Sequence, residues 1–167
     1  MKRFFALFAA LTLLCTGISA QTTACRTETN IAYRNAADDG YVDSLCRLDI
    51  CYPVDRKGFP IVVWFHGGGL TGGRREIPKA LCDKGFAVVG VDYRLAPRVK
   101  VADCVADAAA AAAWVVKNIA SYGGDPRLIF IAGHSAGGYL TSMIGLDKRW
   151  MAPYGIDPDT AFAALIP

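Results

Sequence analysis

The chain has 167 residues, of which 53% are hydrophobic, and its 18 basic and 15 acidic residues give a formal net charge of +3. This length and composition predict one globular domain with a sizeable core. A charge so close to balance, without a basic tract, argues against nucleic acid or an anionic membrane surface as a partner.

The first 20 residues have the three-part pattern of an export signal. Two basic residues, KR, precede the apolar run FFALFAALTLL, and the small-residue sequence ISA follows. The run is too short to span a bilayer comfortably. We therefore expect residues 1–20 to be a signal peptide cleaved near Ala20–Gln21. Residues 21–167, without a membrane span, are then secreted or periplasmic.

One of the six cysteines lies in the predicted signal peptide, and the others are Cys25, Cys46, Cys51, Cys82 and Cys104. Their odd number leaves at least one thiol without an internal disulfide partner. If CRLDIC is one straight strand, Cys46 and Cys51 are about 16 Å apart, which is beyond the roughly 7 Å limit for bridging. No CxxC occurs, and the two histidines are not in a zinc-binding pattern, so we expect structural cysteines and no metal site.

Three strands are expected in the first part of the chain after the signal. SLCRLDICYP predicts a strand that ends at Pro53. FPIVVWF is a continuous apolar run stopped by glycines, which is typical of a buried parallel strand. GRREIPKALCDKG predicts a short helix closed by Gly85. FAVVGVDYRLAP predicts a third strand, stopped by Pro97.

The second half predicts two helices and two further strands. VADCVADAAAAAAWVVKNIASYGG has one apolar face and is the longest predicted helix. GGDP predicts a turn, LIFIA a buried strand, AGGYLTSMIGL a helix, and AALI the opening of another buried strand. Alternating strands and helices indicate an α/β fold with a parallel sheet and right-handed crossovers.

The sequence GHSAG contains the candidate nucleophile, Ser135. It follows LIFIA and precedes a helix, as required for a sharp turn that raises a serine hydroxyl above the edge of a sheet. Gly133 and Gly137 leave room for that turn. The helix N-terminus presents N–H groups, including that of Ala136, where an oxyanion would form. The alternative is a small residue in an ordinary tight turn.

A second glycine motif, HGGG, directly follows the apolar run IVVWF. Gly67, Gly68 and Gly69 allow backbone N–H groups to approach a substrate carbonyl closely. Together with Ala136 they are the predicted oxyanion hole. The alternative for these glycines is an ordinary flexible loop.

The chain resembles the α/β-hydrolase superfamily, and within it the esterase/lipase branch that includes hormone-sensitive-lipase-like enzymes. The resemblance is carried by four motifs in the family's order: HGGG, DYRLAP, YGGDP and GHSAGG. The residue directly before the nucleophile is His134, and in this the chain resembles carboxylesterase, feruloyl- or acetyl-xylan-esterase and arylformamidase-like members. The resemblance implies a mostly parallel sheet with helices on both faces. It also implies hydrolysis of small-molecule carboxylic esters through an acyl-serine, with no cofactor, and a role for His66 in ordering the oxyanion loop.

Other motif residues have structural interpretations. We expect Tyr93 and Arg94 to brace the strand end and the loop below the active site. Asp92, Asp107 and Asp125 are predicted to be structural, because the family places the acid of its triad after the nucleophile.

Neither histidine is predicted to be the general base, which must come within about 3 Å of the hydroxyl. His134 adjoins Ser135, and consecutive side chains diverge in such a turn. The family order is Ser, acid, His, yet no histidine follows Ser135. We therefore expect residues 21–167 to be the N-terminal part of a hydrolase domain, truncated before its last strands. That part alone should be inactive and poorly soluble.

Two other functions remain open. One is a prolyl-peptidase-like or amidase relative, although HGGG favours esters. The other is a non-catalytic binding protein of the same fold, against which the intact HGGG and GHSAGG weigh. The sequence identifies neither the acyl nor the alcohol group, and no oligomeric state is predicted.

Overall fold

The computed structural model describes residues 24–36 and 39–167. The predicted signal peptide lies outside the described residues and stays a prediction. None of the described helices combines the length and the hydrophobicity that crossing a bilayer requires.

One mixed sheet organises the fold. Its strands are β1 (Cys25–Ala32), β2 (Arg47–Pro53), β3 (Phe59–Phe65), β4 (Ala87–Val91), β5 (Gly124–Gly133) and β6 (Ala164–Ile166). They lie in the order β1-β2-β4-β3-β5-β6. The first two pairings, β1 with β2 and β2 with β4, are antiparallel, and β4, β3, β5 and β6 run parallel. The predicted mostly parallel α/β sheet is confirmed.

The described residues form four α-helices beside this sheet: α1 (Gly40–Leu45), α2 (Val101–Tyr122), α3 (Ala136–Leu146) and α4 (Pro158–Ala161). The two long helices, α2 and α3, lie where the sequence predicts them. Gly123 ends α2 in the left-handed conformation, with φ 97°. That conformation satisfies the last carbonyls of the helix and suits glycine, which lacks a Cβ.

Helices α2 and α3 pack side by side on one face of the sheet. A Cβ on Gly124 would lie 2.8 Å from a carbon of Ile119 in α2 and 2.9 Å from a carbon of Ile61 in β3. On the same face, a Cβ on Gly145 of α3 would lie 2.3 Å from a methyl carbon of Leu165. The alanine tract of α2 is buried along its whole length, because small side chains let the helix approach the strands and α3 closely.

The opposite face is crossed by an irregular segment, and here the predicted helix GRREIPKALCDKG is wrong. Only Lys79–Leu81 forms a turn of 3-10 helix. A Cβ on Gly90 of β4 would lie 2.2 Å from the carbonyl oxygen of Glu76, so the backbone itself rests on the sheet. A glycine within a strand permits this close approach, whereas a helix would be held away by its own side chains.

The strand bounds also differ from the predictions in detail. Strand β1 was not predicted, because the edge sequence CRTETNIA is largely exposed and has no apolar alternation. Strand β4 ends at Val91, so DYRLAP is a loop. Strand β5 begins at Gly124, which pairs with Phe59, and thus includes the predicted turn. The predicted final strand exists as β6, but Ala164 and Ile166 are exposed.

Candidate active site

Ser135 occupies a sharp turn between β5 and α3. Its backbone has φ 56° and ψ −112°, an unfavourable conformation for a residue with a Cβ, which costs on the order of 1–3 kcal/mol. The residue is exposed. The turn therefore presents the serine at the carboxyl edge of the parallel strands, where the sequence places it.

Two glycines make this turn sterically possible. A Cβ on Gly133 would lie 2.4 Å from the carbonyl carbon of Gly137. A Cβ on Gly137 would lie 2.0 Å from the carbonyl oxygen of Phe65, the last residue of β3. Real Cβ atoms do not approach backbone so closely, so both positions require glycine. The first turn of α3 is thereby pressed onto the end of β3.

The HGGG loop lies directly against Ser135. A Cβ on Gly67 would lie 3.4 Å from the Cβ of Ser135 and 2.9 Å from Nδ1 of His134. Gly68 has φ 114°, and its carbonyl accepts hydrogen bonds from the backbone N–H groups of Thr71 and Gly72, both at 3.1 Å. The chain thus folds into a tight turn beside the serine.

Four backbone donors around Ser135 have no partner. Within the described ranges, the N–H groups of Gly67, Gly68, Gly69 and Ala136 form no hydrogen bond. Three of them lie in the loop that touches the serine, and Ala136 starts the helix that follows it. Free N–H groups at a helix N-terminus and an adjacent glycine loop favour the binding of negative charge.

His66 is held away from solvent by its neighbours. It is 4% exposed, and its ring stacks on Tyr93, with centroids 4.4 Å apart. Nδ1 lies 2.7 Å from the carbonyl oxygen of Gly67, and the Tyr93 hydroxyl donates to the His66 carbonyl at 2.8 Å. Burial raises the pKa of Tyr93, so its phenol keeps the proton that it donates. Both the imidazole ring and the backbone carbonyl of His66 are therefore held in place within the loop.

Arg75, which was not predicted from the sequence, ties this assembly to the sheet. Its guanidinium contacts Asp92 Oδ2 at 2.5 Å and Asp49 Oδ1 at 2.9 Å. Asp92 in turn lies 3.6 Å from Nε2 of His66. Although burial lowers the pKa of Arg75, its bonds with Asp49 and Asp92 raise that pKa overall. Asp92 thus has a structural environment, as expected, and links Arg75 to the loop.

Arg94 and Asp107 form a second buried ion pair below the site. The Asp107 side chain is fully buried and accepts from Arg94 Nε at 2.7 Å and Nη2 at 2.9 Å, and it also pairs with Arg34. This bidentate contact joins the loop after β4 to α2, in keeping with the bracing role expected of Arg94. Asp125 pairs with the exposed Arg127, away from the buried network.

No described residue is placed to act as the base. The Ser135 hydroxyl has no hydrogen-bond partner in the part of the chain that the structure describes. The exposed His134 ring lies against Gly67, and His66 is engaged as above. The three acids that follow the serine are paired with basic neighbours: Asp147 with Arg149, and Asp157 and Asp159 with Lys148. Residues 24–36 and 39–167 also contain no cluster of His, Cys, Asp or Glu suited to a metal ion.

Comparison with known proteins identifies the relatives of this chain. The family model BD-FAE matches residues 48–157. Carboxylesterase NlhH of Mycobacterium tuberculosis is 39% identical over 122 residues, covering 70% of this chain and 38% of that protein. A probable isoprenylcysteine alpha-carbonyl methylesterase of Oryza sativa subsp. japonica is 40% identical over 101 residues, covering 58% of this chain and 24% of that protein.

Solved structures give the same assignment. The crystal structure of esterase B from Lactobacillus rhamnosis has a TM-score of 0.70 and 27% identity, covering 84% of this chain and 46% of that one. A hyperthermophilic esterase from Pyrobaculum calidifontis has a TM-score of 0.63 and 34% identity, covering 80% and 42%. The chain thus spans less than half the length of each of these relatives.

Proposed function

This chain belongs to the BD-FAE family, within the esterase branch of the α/β-hydrolases, and from that premise we propose that the whole protein hydrolyses carboxylic esters through an acyl-serine intermediate. Ser135 is the nucleophile. The observation that supports this role most directly is the set of unpartnered N–H groups around an exposed serine in a strained turn.

The reaction follows from the positions of these groups. Ser135 Oγ attacks the ester carbonyl carbon, and the carbonyl oxygen takes up the negative charge. The N–H groups of Gly67, Gly68 or Gly69 and of Ala136 donate to that oxygen, and one such donor is worth on the order of 10²–10³ in rate. A general base takes the Ser135 hydroxyl proton during the attack and returns it to the leaving oxygen, so that collapse of the tetrahedral species releases the alcohol. Water then hydrolyses the acyl-serine to the free acid and restores the serine hydroxyl.

His66, Tyr93, Asp92 and Arg75 position the loop. Their stacking, hydrogen bonds and ion pairs fix the carbonyl groups of His66 and Gly67, which orients the adjoining N–H groups. A hole that is rigid before substrate arrives does not need to be reorganised during the reaction.

The general base and its acid come from another segment of the same polypeptide. This part of the proposal rests on the absence of a suitable base among the described residues. It also rests on the coverage of the relatives, of which the chain spans less than half. We further propose export of the protein after cleavage of residues 1–20, on the strength of the signal pattern alone.

A fluorophosphonate probe tests the proposal on the full-length natural polypeptide. Peptide mapping should find the probe on Ser135, and Ser135→Ala should abolish both labelling and the turnover of short-chain p-nitrophenyl esters. Ser142→Ala, about two turns further along in the helix that follows Ser135, is the matched control and should retain both. Ester turnover that survives in Ser135→Ala would refute the assignment of Ser135 as the nucleophile.

Assays on the same polypeptide distinguish an esterase from the other two candidates, an amidase and a non-catalytic binding protein. Faster cleavage of matched amides or peptides than of esters would favour an amidase. A protein that neither reacts with the probe nor cleaves any ester would favour a non-catalytic binding role.

A further inference from the structure

Cys25, Cys46, Cys51, Cys82 and Cys104 are all free thiols in this structure, and three of them meet on the sheet face that α2 and α3 leave uncovered. In the antiparallel pair of β1 and β2, Cys25 is opposite Pro53 and Cys51 is opposite Thr27. Residues two apart in a strand share a face. Cys25 and Cys51 therefore lie diagonally across from each other on one side of the sheet.

Cys82 reaches the same side from the irregular segment. Asp49, two residues before Cys51, pairs with Gly90, over which the backbone of Glu76 passes. The segment then continues through the 3-10 turn to Cys82. Between Glu76 and the start of β4 at Ala87, the segment passes from the level of Gly90 towards that of Val88, which is the partner of Cys51 in the ladder. Cys51 is also among the neighbours that raise the pKa values of Cys25 and Cys82. Cys51 is thus the shared neighbour of two thiols.

We propose that Cys51 and Cys82 are a disulfide-forming pair that fastens the segment following the HGGG loop to β2. The pairing of β1 with β2 excludes Cys25 as the disulfide partner of Cys51. Diagonal positions in an antiparallel pair have Cα atoms about 7–8 Å apart, beyond the roughly 7 Å at which a bridge forms without backbone movement. Cys82 lies outside any strand, so its backbone can adjust to the geometry of the bond.

The oxidation needs a disulfide oxidant, for which glutathione disulfide is the simplest choice. The thiolate of the half-buried Cys82 attacks one sulfur of glutathione disulfide, forms a mixed disulfide and releases one glutathione thiolate. The Cys51 thiolate then attacks the Cys82 sulfur and displaces the second glutathione. Two protein thiols and one glutathione disulfide thus become one protein disulfide and two glutathione thiols.

Burial, together with Cys51 and Asp83, raises the pKa of Cys82. Few thiolates therefore form at neutral pH, and the reaction is expected to speed up as the pH rises toward that pKa.

The bond would enclose β3 and the HGGG loop within one covalent ring. It would reinforce the ion pairs by which Arg75 holds the same segment to Asp49 and Asp92. A cross-link of this kind stabilises the fold chiefly by restricting the unfolded chain. This pairing does not depend on ester hydrolysis and is testable without any activity assay.

The test uses the full-length polypeptide incubated with glutathione disulfide or with dithiothreitol, then alkylated and digested without reduction. Trypsin cuts after Arg26, Arg47, Arg56, Lys79 and Lys84, so the five cysteines fall in separate peptides. The expected result after oxidation is one linked species that joins the Cys51 and Cys82 peptides. Recovery of all three peptides alkylated, or a link between the Cys25 and Cys51 peptides, overturns the proposal.

Thermal unfolding provides a second measurement. Oxidation should raise the Tm of the wild type by roughly 5 °C or more. The shift between oxidised and reduced samples should disappear in Cys82→Ser and persist in the matched control Cys25→Ser. A shift that persists in Cys82→Ser and disappears in Cys25→Ser contradicts the assigned pair.

Discussion

Gly137 lies so close to Phe65 that a Cβ at position 137 would be 2.0 Å from the Phe65 carbonyl oxygen. Gly137 belongs to the first turn of the helix after Ser135, and Phe65 is the last residue before the HGGG loop. The serine and its candidate oxyanion donors are therefore positioned by one backbone-to-backbone contact, so displacing this contact should disturb both.

Gly137→Ala should lower ester turnover by about 100-fold, because α3 must shift to relieve the contact and misplacement by about 1 Å has an effect of that size. The measurement is kcat/KM of the full-length protein with a p-nitrophenyl ester. Gly40→Ala is the control, since a Cβ there has no neighbour within 4 Å. Equal activities in the two variants would contradict the coupling.

Gly68→Ala should reduce kcat by about 10- to 1,000-fold with little change in KM. Gly68 has φ +114°, and a Cβ there would lie 2.2 Å from the Gly72 carbonyl oxygen, so the loop must rearrange and misdirect its donors. Gly72→Ala lies in the same loop but has open space and no positive φ. It should behave as wild type, and a similar loss in both variants would mean that the loop tolerates no substitution.

Arg94→Lys should lower the free energy of unfolding by about 2 kcal/mol, because lysine cannot make the bidentate contact that buried Asp107 accepts. The measurement is urea unfolding of the full-length protein. Arg127→Lys replaces an arginine in the exposed pair with Asp125 and should leave the urea midpoint unchanged, because exposed ion pairs contribute little to stability. Indistinguishable curves for the two variants would remove the bracing role of Arg94.

Stability should also fall at alkaline pH through Cys46. Burial and the neighbouring Asp107 raise the pKa of this thiol from 9.0 to about 11. Because the folded state holds the thiol proton more tightly than the unfolded state does, Cys46 contributes to the free energy of unfolding. This contribution is complete below pH 9 and is lost as the pH rises through 11. The loss amounts to about 2–3 kcal/mol.

Urea unfolding at pH 8 and pH 11 measures this loss. The wild type should lose more stability between the two pH values than Cys46→Ala, in which the thiol is absent. Equal losses would show that Cys46 does not contribute.

The parts of the fold that were predicted correctly have a strong local signal. The apolar run of β3 and the three- and four-residue spacing of α2 report burial directly. Strand β1 has no such pattern, because it lies at an edge and is largely exposed. The segment around Glu76 has helix-forming residues, but its close approach at Gly90 depends on a strand that comes later in the chain.

The residues of the candidate site likewise fall into two groups, those with a local sequence signal and those without one. Ser135 and its flanking glycines are recognisable because the turn imposes a fixed spacing on them. Arg75 and Arg34 were missed because their carboxylate partners, Asp92 and Asp107, are 17 and 73 residues away in sequence. Nothing in their local sequence distinguishes them from other surface arginines.

The backbone conformation of Ser135 has a consequence for protein engineering. A φ of 56° with a ψ of −112° is tolerated far better by glycine than by any residue with a Cβ. Selection for heat resistance alone would therefore favour Ser135→Gly and so remove the candidate nucleophile. Stability screens of this chain need an activity readout beside them, since at residue 135 the two properties select for different amino acids.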